Sequence, residues 1–483
     1  MDIAEFQALR RAGATSALEQ TRECLTRIAR LDPALRAVLC LDPEAETRAR
    51  ASDDRAASGG LLSPLDGVTV LLKDNIDTAD LPTTAGSRAF ADSRAPRDAA
   101  VVDRLRAAGA VVLGKTNLSE WANIRSTRSV SGWSAVGGQT ANPHVLAHNP
   151  SGSSSGSAAA VAAGMAQLAI GTETNGSIVS PAGYCGVVGL KPTGGLVPTD
   201  GVIPISPHQD TVGFLARTAA DAALALEVLG DGSPRAGAGP TRVGPTPVAG
   251  RVADRDGLDQ ATPAALRGRR LGIWRRPGDT FVDRVLADTV DALTEAGAIC
   301  VDIEVPDVAE IDELSWLAVV AEFRGALDEY LRTRPDGPAT LAELVQFNRV
   351  DPVELSRFDQ DIFELALDAD PRDRDHRPAA TRLARAAIDE TVAAHRLDAI
   401  AAPTNGPAEV TGSPGSPIDS ATPAAVARYP AVTVPAGSAG PLPIGITFLS
   451  GARTDAHLMT TAAAFERLVQ ARTDPEFHPV LPT

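Results

Sequence analysis

Only three of the 45 basic residues are lysine: Lys73, Lys115 and Lys191. The other 42 are arginine. Arginine holds a fixed positive charge and does not release its proton at ordinary pH, whereas a desolvated lysine does. Lysines kept in so arginine-rich a chain mark positions where arginine fails. All three lie between residues 73 and 191, a stretch that also carries two serine-bearing, glycine-containing loops. These are residues 149–156 (NPSGSSSG) and 171–177 (GTETNGS). A serine hydroxyl is a weak nucleophile without a base, and a Ser-Lys system is one solution. The lysine must then be neutral. Its ordinary pKa is about 10.4, so burial beside apolar groups has to hold it well below that. Lys73 directly follows the β-rich run Val68, Thr69, Val70, Leu71, Leu72, and is the only lysine with such a neighbourhood on its N-terminal side. Lys191, beside a turn in GLKPT, reads as structural.

Other chemistries lack a pattern. None of the seven histidines sits in HExxH or a similar metal motif. No serine lies in the G-x-S-x-G elbow, and neither loop has the order of a phosphate-binding P-loop. Cys24, Cys40, Cys185 and Cys300 form no CxxC pair, and none has zinc-ligand spacing with a histidine. They read as reduced thiols. No metal and no cofactor are expected.

The elements that must position Lys73 and the loops alternate along the chain. Residues 1–60 read as helices, 67–72 as a buried strand and 98–108 as a helix. A second strand at 110–113 follows. Residues 149–156 run straight into the Ala-rich stretch 158–163, with Ser155 or Ser157 placed to cap a helix. Residues 231–265, rich in Gly and Pro, read as a surface excursion. A strand at 270–274, a helix at 282–296 and a strand at 298–302 come next. A helical, acidic insertion is expected at 308–396. Strands near 398–402, 431–434 and 444–448 would complete the sheet within the stretch 398–450. This alternation predicts an α/β fold, with residues 1–483 as one domain.

At 483 residues the chain can bury a large core without staples. Its net charge is −16, which argues against nucleic acid as a partner and against a basic membrane anchor. The N-terminus has no apolar signal region, and the apolar stretch 157–170 is too short to cross a bilayer. A cytoplasmic protein, monomer or homodimer, is expected.

The motifs resemble those of the amidase signature family. Its lysine motif is similar to residues 70–76 (VLLKDNI) followed by 83–87 (TTAGS). Its serine-glycine motif is similar to 151–157 (SGSSSGS), and its nucleophile motif to 171–178 (GTETNGSI), continuing to 186–193 (GVVGLKPT). Weaker matches follow at 210–213 and 429–435. The resemblance is clearest over residues 61–220, which would hold the catalytic motifs, and it implies α/β/α in three layers around a large mixed sheet and a Ser–cis-Ser–Lys triad. Ser177 would be the nucleophile, Ser153 the bridging serine after a cis bond from Gly152, and Lys73 the base. It further implies an oxyanion hole from the backbone N–H groups of Thr174, Asn175, Gly176 and Ser177. Ser154 would hold the Lys73 amine.

Three departures bear on the substrate. Ser151 and Ser155 stand where glycine is commoner in the family, and so does Asn175, whose side chain would intrude near the acyl site and select substrates. Asparagine tolerates a positive φ, so the loop could keep its shape. Glu173 and Val179 replace the family's Asp/Arg pair, so that ion pair is absent. These features, with SGWS at 131–134, GQT at 138–140 and GVIPIS at 201–206, resemble the peptide amidase branch, which implies hydrolysis of the C-terminal carboxamide of peptides to acid and ammonia. The substrate would be a peptide or small-molecule amide. In the segment NLSEWA at 117–122, Trp121 and Ala122 correspond to channel-lining positions. Trp121 is either a channel wall or a plain core tryptophan. Two other readings stand beside this one: the A-type subunit of a tRNA-dependent glutamine amidotransferase, and a catalytically dead amidase-like scaffold.

Overall fold

The computed structural model of the chain describes residues 1–230, 261–276, 278–416 and 419–482. Among the described residues, thirteen strands occur in chain order: β1 (Val38–Leu41), β2 (Thr69–Lys73), β3 (Val111–Thr116), β4 (Trp133–Ser134), β5 (Gly138–Gln139), β6 (Leu168–Glu173), β7 (Val188–Lys191), β8 (Thr211–Ala216), β9 (Arg270–Trp274), β10 (Ile299–Ile303), β11 (Ala399–Pro403), β12 (Ala431–Ala439) and β13 (Leu442–Leu449). Apart from the β4–β5 ribbon they form one eleven-stranded sheet, in the order β1-β3-β2-β6-β8-β7-β12-β13-β11-β9-β10. The sheet is mixed. β2 runs parallel to β3 and β6, and β9 runs parallel to β10 and β11, while β6–β8, β7–β12 and β12–β13 are antiparallel.

Central parallel strands are covered on both faces and read as continuous apolar runs. That is why residues 68–72 are apolar but for Thr69, and every residue of β2 is buried. Strand alternation separates two layers. On β11, Ala399 and Ala401 join the cluster that holds the helices Ser155–Ala162, Ala219–Leu229 and Asp455–Val469, whereas Ile400 and Ala402 join the cluster of Arg377–His395 and Thr422–Ala427. The result is the expected α/β/α sandwich.

Two expectations need correction or placement. Residues 1–60 are not all helical: Val38–Leu41 pairs antiparallel with β3 at the sheet edge. Four apolar residues between two helices carry too short a pattern to distinguish strand from helix. Of the excursion expected at 231–265, residues 231–260 lie outside the described residues. Residues 261–265 lead into the short helix Pro263–Leu266, with Ala261 and Leu266 buried.

The insertion at 308–396 holds the helices Val308–Leu331, Leu341–Val350, Asp361–Asp368 and Arg377–His395. A buried ionic cluster ties it to the core. Arg125, fully buried, lies against the rings of Trp133 and Phe358 and pairs with Glu120 and with Glu354 at 3.1 Å. Glu354 also accepts from Ser87 Oγ at 2.9 Å and Arg88 N at 2.6 Å. Burial pushes the Glu120 carboxyl up. Removing one member of such a cluster strands the others without water. Glu354→Ala is therefore expected to cost about 3–5 kcal/mol, measured as a lowered urea midpoint at constant m-value.

Candidate active site

Lys73 ends β2 between its two parallel neighbours, and no part of it reaches solvent. Its Nζ lies 2.7 Å from Ser153 Oγ, 2.8 Å from Thr172 Oγ1 and 3.0 Å from Thr172 O. Burial lowers its pKa to about 7, against the opposing pull of Glu173 and Asp210. A neutral amine has two N–H donors and one lone pair. The two oxygens of Thr172 can take the donors, leaving the lone pair for the Ser153 hydroxyl.

Ser153 sits at a tight bend where the Gly152–Ser153 peptide bond is cis and Ser151 has φ 60°. A Cβ on Gly152 would come within 2.2 Å of Ser119 Oγ and would have to displace that hydroxyl. Ser119 N in turn donates to Ser153 O at 3.1 Å. The fully buried helix Ser155–Ala162 then carries the chain away. Its serines do not cap it as expected. Ser155 Oγ donates to Ser151 O at 2.6 Å, and Ser157 Oγ lies 2.8 Å from Thr116 Oγ1. Ser154 holds the cap position without a side-chain capping bond.

Ser154 does not hydrogen-bond the Lys73 amine either, which corrects its expected role. Its Oγ donates to Thr172 O at 3.1 Å and lies 3.3 Å from Thr172 N, which donates to it. It faces the threonine that holds Lys73. Thr172, to which the sequence assigned nothing, is the main partner of the amine. Its place five residues before Ser177 is visible in the motif, but the direction of its side chain depends on the β2–β6 pairing. Asn75 Nδ2 also donates to Thr172 Oγ1, at 2.9 Å.

Ser177 follows the loop that leaves β6 and is about 9% exposed. Ser154 N donates to Ser177 O at 3.2 Å and joins the two serine loops. The buried Glu173 carboxylate accepts from Ile178 N at 2.7 Å and Val179 N at 3.1 Å, where the helix Val179–Cys185 begins. Burial raises the Glu173 pKa, and Lys191 together with the N–H groups of Ile178, Val179 and Gly176 offsets this. With Val179 in the arginine's place, the compensating cation comes instead from Lys191 on β7, itself buried, lowered to about 8 and donating to Tyr429 O. Lys115 is buried too and pairs with Asp74 at 3.2 Å, just beyond the end of β2.

Thr174 is held twice. Its Oγ1 donates to Asp210 Oδ1 at 2.6 Å, and its carbonyl accepts from Gln209 Nε2 at 2.7 Å. Burial raises Asp210 to about 6. A cavity of about 10 Å³ lies against Ser153, Thr172, Thr174, Ala122, Ile203 and Ile205, room for about one water.

The substrate-contact expectations divide. Ala122 lines the cavity, but Trp121 does not. Positive φ values of 49° at Trp121 and 53° at Ala122 turn the chain there. The indole packs edge-on between Phe90 and Phe363, with centroids 6.1 and 5.9 Å away. Trp121 is a core residue under the helical insertion. Asn175 keeps a negative φ, and Gly176 carries the positive one at 79°. The Asn175 side chain donates to Thr422 Oγ1 at 3.1 Å and is absent from the cavity wall.

The model of the family described as Amidase matches residues 19–459. The chain belongs to the amidase signature family. Native peptide amidase from Stenotrophomonas maltophilia has a solved structure similar to this amidase, with a TM-score of 0.91 and 42% identity, covering 99% of this chain and 98% of that one. A probable amidase of Arabidopsis thaliana is 36% identical over 469 residues, 94% of this chain and 87% of that protein. The A-type subunit of the glutamyl-tRNA(Gln) amidotransferase of Chloroflexus aurantiacus is 34% identical over 497 residues, 98% of this chain and 97% of that one. As an amidase this chain is an amide hydrolase. Among the described residues of this amidase, no helix is long and apolar enough to cross a membrane.

Proposed function

We propose that the chain hydrolyses the C-terminal carboxamide of peptides through an acyl-enzyme on Ser177. The observation that carries this reading is the buried Lys73 Nζ, 2.7 Å from Ser153 Oγ and lowered to about 7. Near neutral pH such an amine accepts a proton. Ser153 passes its hydroxyl proton to Lys73 and takes the proton of Ser177. The Ser177 oxygen attacks the carboxamide carbon. The negative charge that forms on the carbonyl oxygen meets the backbone N–H groups of Thr174, Asn175, Gly176 and Ser177, with that of Gly176 shared with Glu173. Preorganised donors at that point are worth a few kcal/mol each. The proton returns through Ser153 to the leaving nitrogen, ammonia departs, and water releases the acid by the reverse relay.

The peptide as acyl group is supported by the 42% identity to peptide amidase over 99% of the chain. A second reading, the A-type amidotransferase subunit, draws on the 34% relative and requires a partner protein. Ammonia release by the chain alone, from peptide amides, free amino-acid amides, aryl amides, fatty amides and glutamine, separates the two. The expected result is the highest kcat/KM on peptide amides, with no added protein. Silence on all five, with glutamine turnover only when partner proteins are supplied, would replace this reading with the second.

A further inference from the structure

The loop from Thr174 to Ser177 is held from outside by a side chain that reaches it from the β8 approach. Gln209 is 2% exposed. Its Nε2 donates to Thr174 O at 2.7 Å. Which end of its amide faces the loop is decided by its other partners. Gln209 Oε1 accepts from Arg377 Nη1 at 2.5 Å and from Ser315 Oγ at 3.1 Å. Arg377 can only donate, so the oxygen must lie on that side and the nitrogen must face Thr174. Arg377 is held in turn by Glu322, at 2.9 and 3.1 Å, and Ser206 Oγ donates to Glu322 at 2.5 Å. Ser315, Glu322 and Arg377 all belong to the helical insertion.

A trans peptide unit is planar, and its C=O and the following N–H point in opposite directions. Fixing the Thr174 carbonyl therefore fixes the Asn175 N–H, one of the proposed donors to the developing oxyanion. We propose that Gln209 is a positioning residue that aims the Asn175 N–H, and that Arg377 and Ser315 lock its amide in the productive orientation. The insertion thus acts on the chemistry through Gln209. The proposal rests on the Ser177 acyl-enzyme reading.

The test uses the full chain with two replacements. Gln209→Met keeps the length and removes both hydrogen-bonding ends. Gln209→Glu keeps the partner of Arg377 and Ser315 but sets an acceptor against the Thr174 carbonyl, so the peptide unit turns away. Both are expected to lower kcat on a peptide amide roughly 10- to 100-fold, less than or equal to the loss of a whole oxyanion donor, with KM within about twofold. A peptide aldehyde adds to the nucleophilic serine as an alkoxide that needs the same donors. Its inhibition constant is expected to rise by the same factor as kcat falls. Arg377→Met is expected to do the same to a smaller degree. Wild-type kcat and aldehyde affinity in either Gln209 variant overturn the proposal. So does a parallel change of kcat and KM with unmoved aldehyde affinity, which marks a merely structural role. Gln209→Glu retains an acceptor for Arg377 and Ser315, so it decides the matter if Gln209→Met does not fold. Fluorophosphonate labelling of the wild type reports on the underlying reading separately: no adduct at Ser177 defeats that reading, whereas an adduct at Ser177 with insensitive Gln209 variants defeats only this one.

Discussion

Lys73→Arg is expected to lower kcat/KM on an amide as far as Lys73→Ala does, by roughly 10²- to 10⁴-fold. The reason is the state the amine must reach. Lys73 is wholly buried and lowered to about 7 by desolvation, so near neutral pH much of it is uncharged and can accept a proton. Arginine keeps its charge under any ordinary condition. Its fork is also larger than a space closed by Ser153 and Thr172 at 2.7 to 3.0 Å. The same argument sets the sign of the pH dependence. Below the lowered pKa the amine is protonated and cannot act as a base. Wild-type kcat/KM is therefore expected to rise with pH through an apparent pKa near 7 and then to level off. Initial rates of the purified variants, with circular dichroism to confirm folding, check both results. Substantial turnover by the arginine variant would remove the general-base role.

The second large effect concerns Ser177. Ser177→Ala is expected to lose on the order of 10⁴- to 10⁶-fold in kcat, as serine hydrolases do when the nucleophile is removed. Wild-type protein treated with a fluorophosphonate is expected to gain one adduct by intact mass, and the alanine variant none. An adduct that moved to Ser153 or Ser154 would transfer the nucleophile's role. Ser177 is the partly exposed member of the three, at about 9%, while Ser153 and Lys73 are sealed. That is the gradient of access expected of one group that meets substrate and two that relay its proton.

Much of this arrangement was legible in the chain itself, for a physical reason. Lys73 follows a β-rich apolar run broken only by Thr69, which fits a strand covered on both faces, and a lysine at its end has to be desolvated. Glycines around Ser153 and Ser177 announced tight bends. What stayed hidden depends on direction and distance. Thr172 differs from its neighbours on β6 only in where the β2–β6 pairing points it, and a one-residue change of register would turn it to the other face. Gln209 and Arg377 are 168 residues apart, so no local pattern joins them. Trp121 was ambiguous because its setting is made by Phe363, far along the chain in the insertion. β1 was missed because four apolar residues fit either period.

The scarcity of lysine has a practical corollary. All three side-chain amines are sealed in the folded protein, with exposures of 0 to 1%. Acylating reagents such as succinimidyl esters therefore find no lysine on the native surface and gain three only when the chain opens. Mass added at lysine by such a reagent counts the opened molecules directly, and coupling to a solid support is better directed at the abundant carboxylates.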